Sequence, residues 1–288
     1  MYTAHPTTFE LHRPETLDEA IRLLGDEGDT KVIAGGHSLL PAMKLRLSMP
    51  SALVDIGRIP GLDEISQEGD TLVIGALTTH ATVASSEAVR SACPVIAETA
   101  ALIGDRQVRN RGTIGGSVAH ADPGADYPTI LSALEATIVA TGPGGERQIA
   151  APEFFTGVFT TALQPEEIVT AVRIPATPGG TGAAYLKHKH PASGYAVVGA
   201  AAVVSLEGGT CSRARLVIGG ATGTPVAIPI DSLIGQAPSA EAITEATAGI
   251  AAAIGDAIGD TYASAEYRRH LGGVLGRRAI AAAAERAG

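Results

Sequence analysis

Apolar positions along this chain follow two spacings, and the switches between them mark the elements. Leu17, Ala20, Ile21 and Leu24 recur every three or four residues, which gathers them on one face of a helix. Thr16 and Glu19 make a capping box at its start, and Gly28 ends it. Residues 9–12, stopped by Pro14, and residues 30–34 read as short strands on either side. Residues 53–56 predict another strand, closed by Pro60 and Gly61. Further on, residues 71–76 predict a strand, and Thr79 caps a helix through Val89. A second helix covers 94–103, with Ile96, Ala100 and Ile103 on one side, and a short apolar helix covers 129–134. Residues 136–140 and 148–150 flank Gly142-Pro143-Gly144-Gly145, a hairpin signature. Residues 167–174 form a strand stopped by Pro175.

Composition shifts at Thr177-Pro178-Gly179-Gly180-Thr181-Gly182, which reads as a linker. Beyond it, residues 183–189, 196–206 and 211–218 predict three strands, with Glu207-Gly208-Gly209-Thr210 as the turn between the last two. From Ser239 onward the chain is Ala-rich and helical, over about 240–254 and then 264–286. No repeat of solenoid period is present.

At 288 residues, 45% hydrophobic and 18% charged, the chain is globular and long enough for two domains or one large one. The net charge of -9 argues against a general nucleic-acid binder. With Trp absent and aromatics at 3%, it also lacks a stacking platform for single strands. Cys93 and Cys211 are isolated and give neither a disulfide framework nor a zinc spacing. An iron–sulfur cluster, which takes four ligands, would therefore have to sit on another chain. The N-terminus shows no secretory pattern and the longest apolar run, 196–206, is too short to span a bilayer. A cytoplasmic protein is the expectation.

The candidate chemistry centres on two glycine–serine stretches. Ala34-Gly35-Gly36-His37-Ser38 follows the run Lys31-Val32-Ile33, and Thr113-Ile114-Gly115-Gly116-Ser117 follows Arg106, Arg109 and Arg111. Paired glycines let backbone approach an anion closely and offer it unblocked N–H groups. Two such turns would hold one pyrophosphate from two sides; the bland alternative for either is a tight turn. The spacing is not the Gly-x-Gly-x-x-Gly of dinucleotide folds, because the glycines follow a second strand. His37 would touch a phosphate or point to solvent. Asp122 and Asp126 read as an acidic pair, as turn formers, or, for Asp126, as an acceptor for sugar hydroxyls. His188 and His190 share a strand face, as surface or packing residues or as a metal pair. There is no Walker loop, no Gly-x-Ser-x-Gly elbow and no His-Glu-x-x-His.

Taken together, these stretches resemble the flavin-binding medium subunit of the molybdenum hydroxylases, the family of xanthine dehydrogenase and aerobic carbon monoxide dehydrogenase. The resemblance covers essentially the whole chain. It rests on Ala34-Gly35-Gly36-His37-Ser38-Leu39-Leu40-Pro41-Ala42-Met43-Lys44, Ile74-Gly75-Ala76-Leu77-Thr78-Thr79, Gly112-Thr113-Ile114-Gly115-Gly116-Ser117 and Asp122-Pro123-Gly124-Ala125-Asp126. The strand from Glu167 to Pro175, Lys187 and the pair Tyr195-Ala196 match too, and the Ala-Gly-Gly-His-Ser form is that of the carbon monoxide dehydrogenase branch. Ser117 is a departure, since many relatives have Asn there; both hydrogen-bond.

The resemblance implies an α+β FAD-binding fold of the vanillyl-alcohol-oxidase (PCMH) type. Two N-terminal α/β subdomains, 1–58 and 59–177, would hold FAD between them. A C-terminal domain, 178–288, would be a three-stranded antiparallel sheet plus helices. FAD would be bound non-covalently by Lys31, Val32, Ile33, Ala34, Gly35, Gly36, His37 and Ser38 and by Thr113, Ile114, Gly115, Gly116 and Ser117. Ile103, Asp126, Val169, Lys187 and Tyr195 would complete the site. No catalytic acid, base or metal ligand is expected. The implied partners are a small subunit with [2Fe–2S] clusters and a large subunit with the molybdenum cofactor, in a dimer of heterotrimers. Electrons would arrive from the clusters and leave to an external acceptor. A self-sufficient FAD oxidase of the same fold and a flavin-free scaffold subunit are the alternatives.

Overall fold

The structure is a computed structural model that describes residues 5–26 and 28–288. It opens with a three-stranded parallel sheet of β1 (Glu10–His12), β2 (Thr30–Ile33) and β3 (Ala52–Asp55), in the order β1-β3-β2. Helix α1 (Leu17–Asp26) packs its predicted stripe on this sheet, with Ala20 and Ile21 buried. The Thr16 hydroxyl accepts from the Glu19 N–H at 3.2 Å, as the capping box requires; the Glu19 carboxylate reaches back to the Glu15 N–H. A second helix, α2 (Leu39–Lys44), leaves the β2 turn.

The middle of the chain builds a five-stranded antiparallel sheet. Its first hairpin is β4 (Ile65–Glu68) and β5 (Thr71–Gly75). Six helices follow: α3 (His80–Ser85), α4 (Glu87–Ala92), α5 (Pro94–Leu102), α6 (Arg106–Arg109), α7 (Ile114–His120) and α8 (Asp126–Ala133). The single helix expected from Thr79 is two, because Ser86 leaves helical geometry and caps the second, just as Thr79 caps the first. The hairpin β6 (Thr137–Gly142) and β7 (Gly145–Ala150) comes next. Then come α9 (Ala151–Phe154), the small ribbon β8 (Phe155–Gly157) and β9 (Thr160–Thr161), and β10 (Ile168–Pro175). Strand β10 returns to the centre, giving the order β4-β5-β10-β6-β7.

The C-terminal sheet has the three predicted strands, β11 (Thr181–Lys189), β12 (Ala196–Glu207) and β13 (Thr210–Gly219). A short fourth, β14 (Val226–Ile228), pairs with β13. Gly208 and Gly209 both take positive φ in the β12–β13 turn, a conformation only glycine adopts without strain. The unbroken apolar run of β12 reflects burial on both faces. Ala201 and Val203 join the core under the middle sheet, while Ala200, Ala202 and Val204 face the C-terminal helices. Those helices are α10 (Ala240–Ala246), α11 (Ile250–Ala253) and the long α12 (Ala265–Ala287). The single helix expected over 240–254 breaks at residues 247–249. Gly272 and Gly276 of α12 lie against Ile254 and Ile250, so small residues set the close helix approach. Among the described residues, no helix is long and apolar enough to cross a membrane.

Candidate cofactor site

The first glycine stretch forms a turn at the end of β2. Gly36 takes φ +73°, which turns the chain into α2. The N–H groups of Gly35, Gly36, His37 and Ser38 find no acceptor among the described residues. Four open donors in succession at a turn are the kind of backbone feature that can bind an anion. The His37 side chain is exposed, with Nδ1 3.2 Å from the Gly35 carbonyl. Lys31 stands at the start of β2, 3.9 Å from the Asp29 carboxylate; Val32 and Ala34 pack on the first core beside Ile33.

The second stretch is not a loop: it is the start of α7, and its amides are already satisfied. Thr113 is the N-cap, its hydroxyl accepting from the Gly116 N–H at 3.1 Å. Ile114 donates to the Thr78 carbonyl, Gly115 to Ala76 and Ser117 to Thr113. The glycines are there for close packing against protein. A Cβ on Gly115 would stand 2.7 Å from the Ala76 Cα and 2.8 Å from its carbonyl oxygen. One on Gly112 would stand 2.7 Å from the His80 Nε2. What this stretch turns toward the first is the bare Gly116, 3.8 Å from the Ala34 methyl by the same construction. Gly35 in turn packs on the Arg111–Gly112 backbone, where a Cβ on it would stand 2.9 Å from the Gly112 Cα. The two stretches are therefore in contact, as the two-sided reading requires.

The remaining predicted residues fall into two groups. Ile103 caps α5, and its carbonyl accepts from the Arg109 guanidinium at 2.9 Å. Gly194 packs on Gly104 and brings Tyr195 alongside Gly124, where a Cβ on Gly124 would stand 3.4 Å from the Tyr195 ring. Burial pushes the Tyr195 phenol up, and Ser38 lies near enough to offset part of that rise. By contrast, the Ile114 and Val169 side chains lie in the core. Val169 sits at a bulge of β10, next to Thr170, whose carbonyl accepts from the Ala76 N–H beneath Gly115.

Asp126 is 4% exposed, and both its oxygens are engaged. It accepts from the Tyr185 hydroxyl at 2.6 Å and from Lys187 Nζ at 2.8 Å. Burial pushes its carboxyl up, against the pull of the Lys187 ammonium and the Tyr185 hydroxyl. Lys187 also donates to the Gly194 carbonyl at 2.8 Å, so this ion pair fixes the backbone next to Tyr195. Asp122 accepts from the Gly124 N–H, the turn role expected of Asp. His188 and His190 converge on Tyr262, not on a shared metal position, and no metal-like cluster occurs among the described residues.

Residue-level reading missed His80. It is buried beneath Gly112, near His37 and Arg109, with Nδ1 unpartnered among the described residues. Burial first, then the charges of His37 and Arg109, push its pKa down to about 4, so the imidazole is neutral at pH 7. A lone His after a capping Thr carries no such signal in sequence.

Residues 7–177 match the family described as FAD binding domain in molybdopterin dehydrogenase, and residues 183–283 match CO dehydrogenase flavoprotein C-terminal domain. The carbon monoxide dehydrogenase medium chain of Hydrogenophaga pseudoflava is 43% identical, across 96% of this chain and 98% of the relative. Subunit alpha of the 6-hydroxypseudooxynicotine dehydrogenase complex of Paenarthrobacter nicotinovorans is 39% identical, across 98% and 96%. A carbon monoxide dehydrogenase structure from Hydrogenophaga pseudoflava superposes with a TM-score of 0.95 at 42% identity, covering 98% of this chain and 99% of that one. Quinoline 2-oxidoreductase from Pseudomonas putida 86 gives 0.92 at 33% identity, with the same coverage. With both halves matched and the vanillyl-alcohol-oxidase type of fold shared, this chain belongs to the FAD-binding medium subunits of the molybdenum hydroxylases, the family of carbon monoxide dehydrogenase.

Proposed function

We propose that this chain carries FAD between the [2Fe–2S] clusters of a small partner subunit and an external acceptor, with the molybdenum cofactor on a large partner subunit. The observation that carries the reading is the run of four N–H donors from Gly35 to Ser38 without a partner among the described residues, next to the bare Gly116. That cradle suits a diphosphate: consecutive amides supply partial positive charge without a side chain in the way. Arg106 and Arg111 are exposed nearby and add long-range attraction. Ser117 offers a hydroxyl from the facing helix, and Thr113, Ile114 and Gly115 hold that helix in place.

The bound flavin supplies two-electron and one-electron chemistry in one ring. The chain's own residues bind and orient. Tyr195, 39% exposed, covers the side of the site next to Ser38 and Gly124. Asp126 and Lys187 act from below by holding the Gly194 carbonyl. Ile103 and Gly104 form the surface on which that segment rests. Val169 and the β2 residues Lys31, Val32 and Ile33 shape the scaffold under the cradle. Within the described residues no nucleophile–base pair meets at the site, which fits substrate oxidation on another subunit.

The test is purification of the complex with its partners followed by cofactor analysis. FAD, iron and molybdenum are expected together, and acid precipitation should release all the flavin into the supernatant, since no cysteine lies in the cradle. Rapid reduction of flavin on the isolated chain by an organic substrate would sink the subunit reading and favour an oxidase.

A further inference from the structure

Just beyond α2, the chain presents Leu45, Leu47 and Met49 to solvent, at 69%, 80% and 56% exposure. Three large apolar side chains in five residues, with no apolar cover, make a sticky surface on a protein of this size. The segment is nevertheless built. Met43 anchors it in the core, and Arg46 takes a left-handed backbone of φ 59°, which is costly for a non-glycine residue. Hydrogen bonds from Arg46 N–H to the Met43 carbonyl and from Leu47 N–H to the Ala42 carbonyl close the turn. A turn fixed in this way, with leucines held outward, is shaped for a contact.

We propose that residues 44–49 are the docking turn for the cluster-bearing subunit, through an apolar centre on that partner rimmed by carboxylates. The inference rests on the subunit reading above. Lys44 and Arg46 interleave with the leucines, are exposed, and pair with no carboxylate among the described residues. They form a basic spot on a chain of net charge -9, so the complementary surface is acidic. A second copy fits poorly, because a two-fold contact would set Lys44 and Arg46 against the same cations. An anionic bilayer fits poorly too, since the rest of the chain is acidic. The six residues of α2 span about 9 Å at 1.5 Å per residue, and α2 starts at Ser38 of the cradle. A partner seated on this turn is thereby brought next to the cofactor site, as electron delivery requires.

The experiment co-expresses the full chain, wild type or Leu45→Asp/Leu47→Asp, with its iron–sulfur and molybdenum subunits. Thermal unfolding of the lone chain checks that the variant folds. The expected result is an unchanged melting temperature and association with the iron–sulfur subunit weakened by about thirty-fold or more, the loss typical of two central apolar contacts. Arg46→Glu, titrated against the iron–sulfur subunit alongside the double variant, should weaken association less and lose its effect at high salt. Association of the double variant equal to wild type overturns the docking turn and leaves the subunit reading intact. So does a loss confined to the molybdenum subunit, to self-association, or to vesicles of anionic lipid. A wild-type chain that folds and assembles with no partner overturns both.

Discussion

The two glycine–serine stretches look alike in sequence and differ in what their amides do. In Ala34-Gly35-Gly36-His37-Ser38 the donors from Gly35 onward have no partner among the described residues, and one glycine takes positive φ. In Thr113-Ile114-Gly115-Gly116-Ser117 every amide from Ile114 to Ser117 has a partner inside the protein, and no glycine has positive φ. The first leaves its amides open, as the proposed cradle needs; the second is a clamp that locks α7 onto β5 and turns one bare face toward the first. Protein presses from inside on Gly35 as on Gly115, so what separates the two pairs is whether their amides are already used.

Alanine substitution breaks the comparison with the largest effect. Gly115→Ala drives a methyl into the Ala76 backbone, which has nowhere to go, and should cost about 3 kcal/mol or more in a urea titration. Gly36→Ala meets the movable end of Leu40 at 2.9 Å and adopts a left-handed backbone, at about 1–2 kcal/mol. It should fold yet lose bound FAD, because the methyl disturbs the run of open amides. Equal stability of the two variants, or full flavin content in Gly36→Ala, would remove the distinction between cradle and clamp.

Acid should loosen the clamp. His80 donates its backbone N–H to the Gly112 carbonyl and lies beneath Gly112. Its imidazole titrates near 6.5 when unfolded and near 4 when folded. Between those values the unfolded chain binds more protons, so stability falls as pH drops through this window and is fully present above it. The loss by pH 4 is about 3 kcal/mol, at roughly 1.4 kcal/mol per pH unit. His80→Phe should flatten this part of the profile, measured by urea unfolding at intervals from pH 7 to pH 4. A profile identical to wild type would show that some other group carries the slope.

Much of the scaffold was legible because its signals are local. The capping box at Thr16, the Gly208-Gly209 turn and the doubly buried run of β12 depend on residues adjacent in sequence. What sequence could not display was partnership across distance. Nothing in Gly115 announces Ala76, and nothing in Asp126 announces Tyr185 and Lys187, which engage both its oxygens. Asp126 holds Lys187, and through it the Gly194 backbone next to Tyr195, a link between residues far apart in sequence. Helix breaks at Ser86 and at residues 247–249 escaped for the same reason: apolar spacing continues through a break that only capping geometry defines.

The finest distinction between cradle and clamp lies in two polar side chains. Thr113 is buried, and its hydroxyl is the acceptor for the Gly116 N–H. Thr113→Val keeps the shape and removes that acceptor, so the cost should be about 1 kcal/mol of stability. His37 is exposed, with its Nδ1 3.2 Å from the Gly35 carbonyl. His37→Ala should therefore change stability by no more than about 0.5 kcal/mol, as surface substitutions do. Its effect belongs instead to the ligand, as weaker retention of FAD on dilution, followed by the rise in free-flavin fluorescence. The two substitutions should thus separate cleanly, Thr113→Val in unfolding and His37→Ala in flavin release. If Thr113→Val left stability untouched, the amides of α7 would not need their internal partners, and the second stretch would have to be counted as part of the cradle.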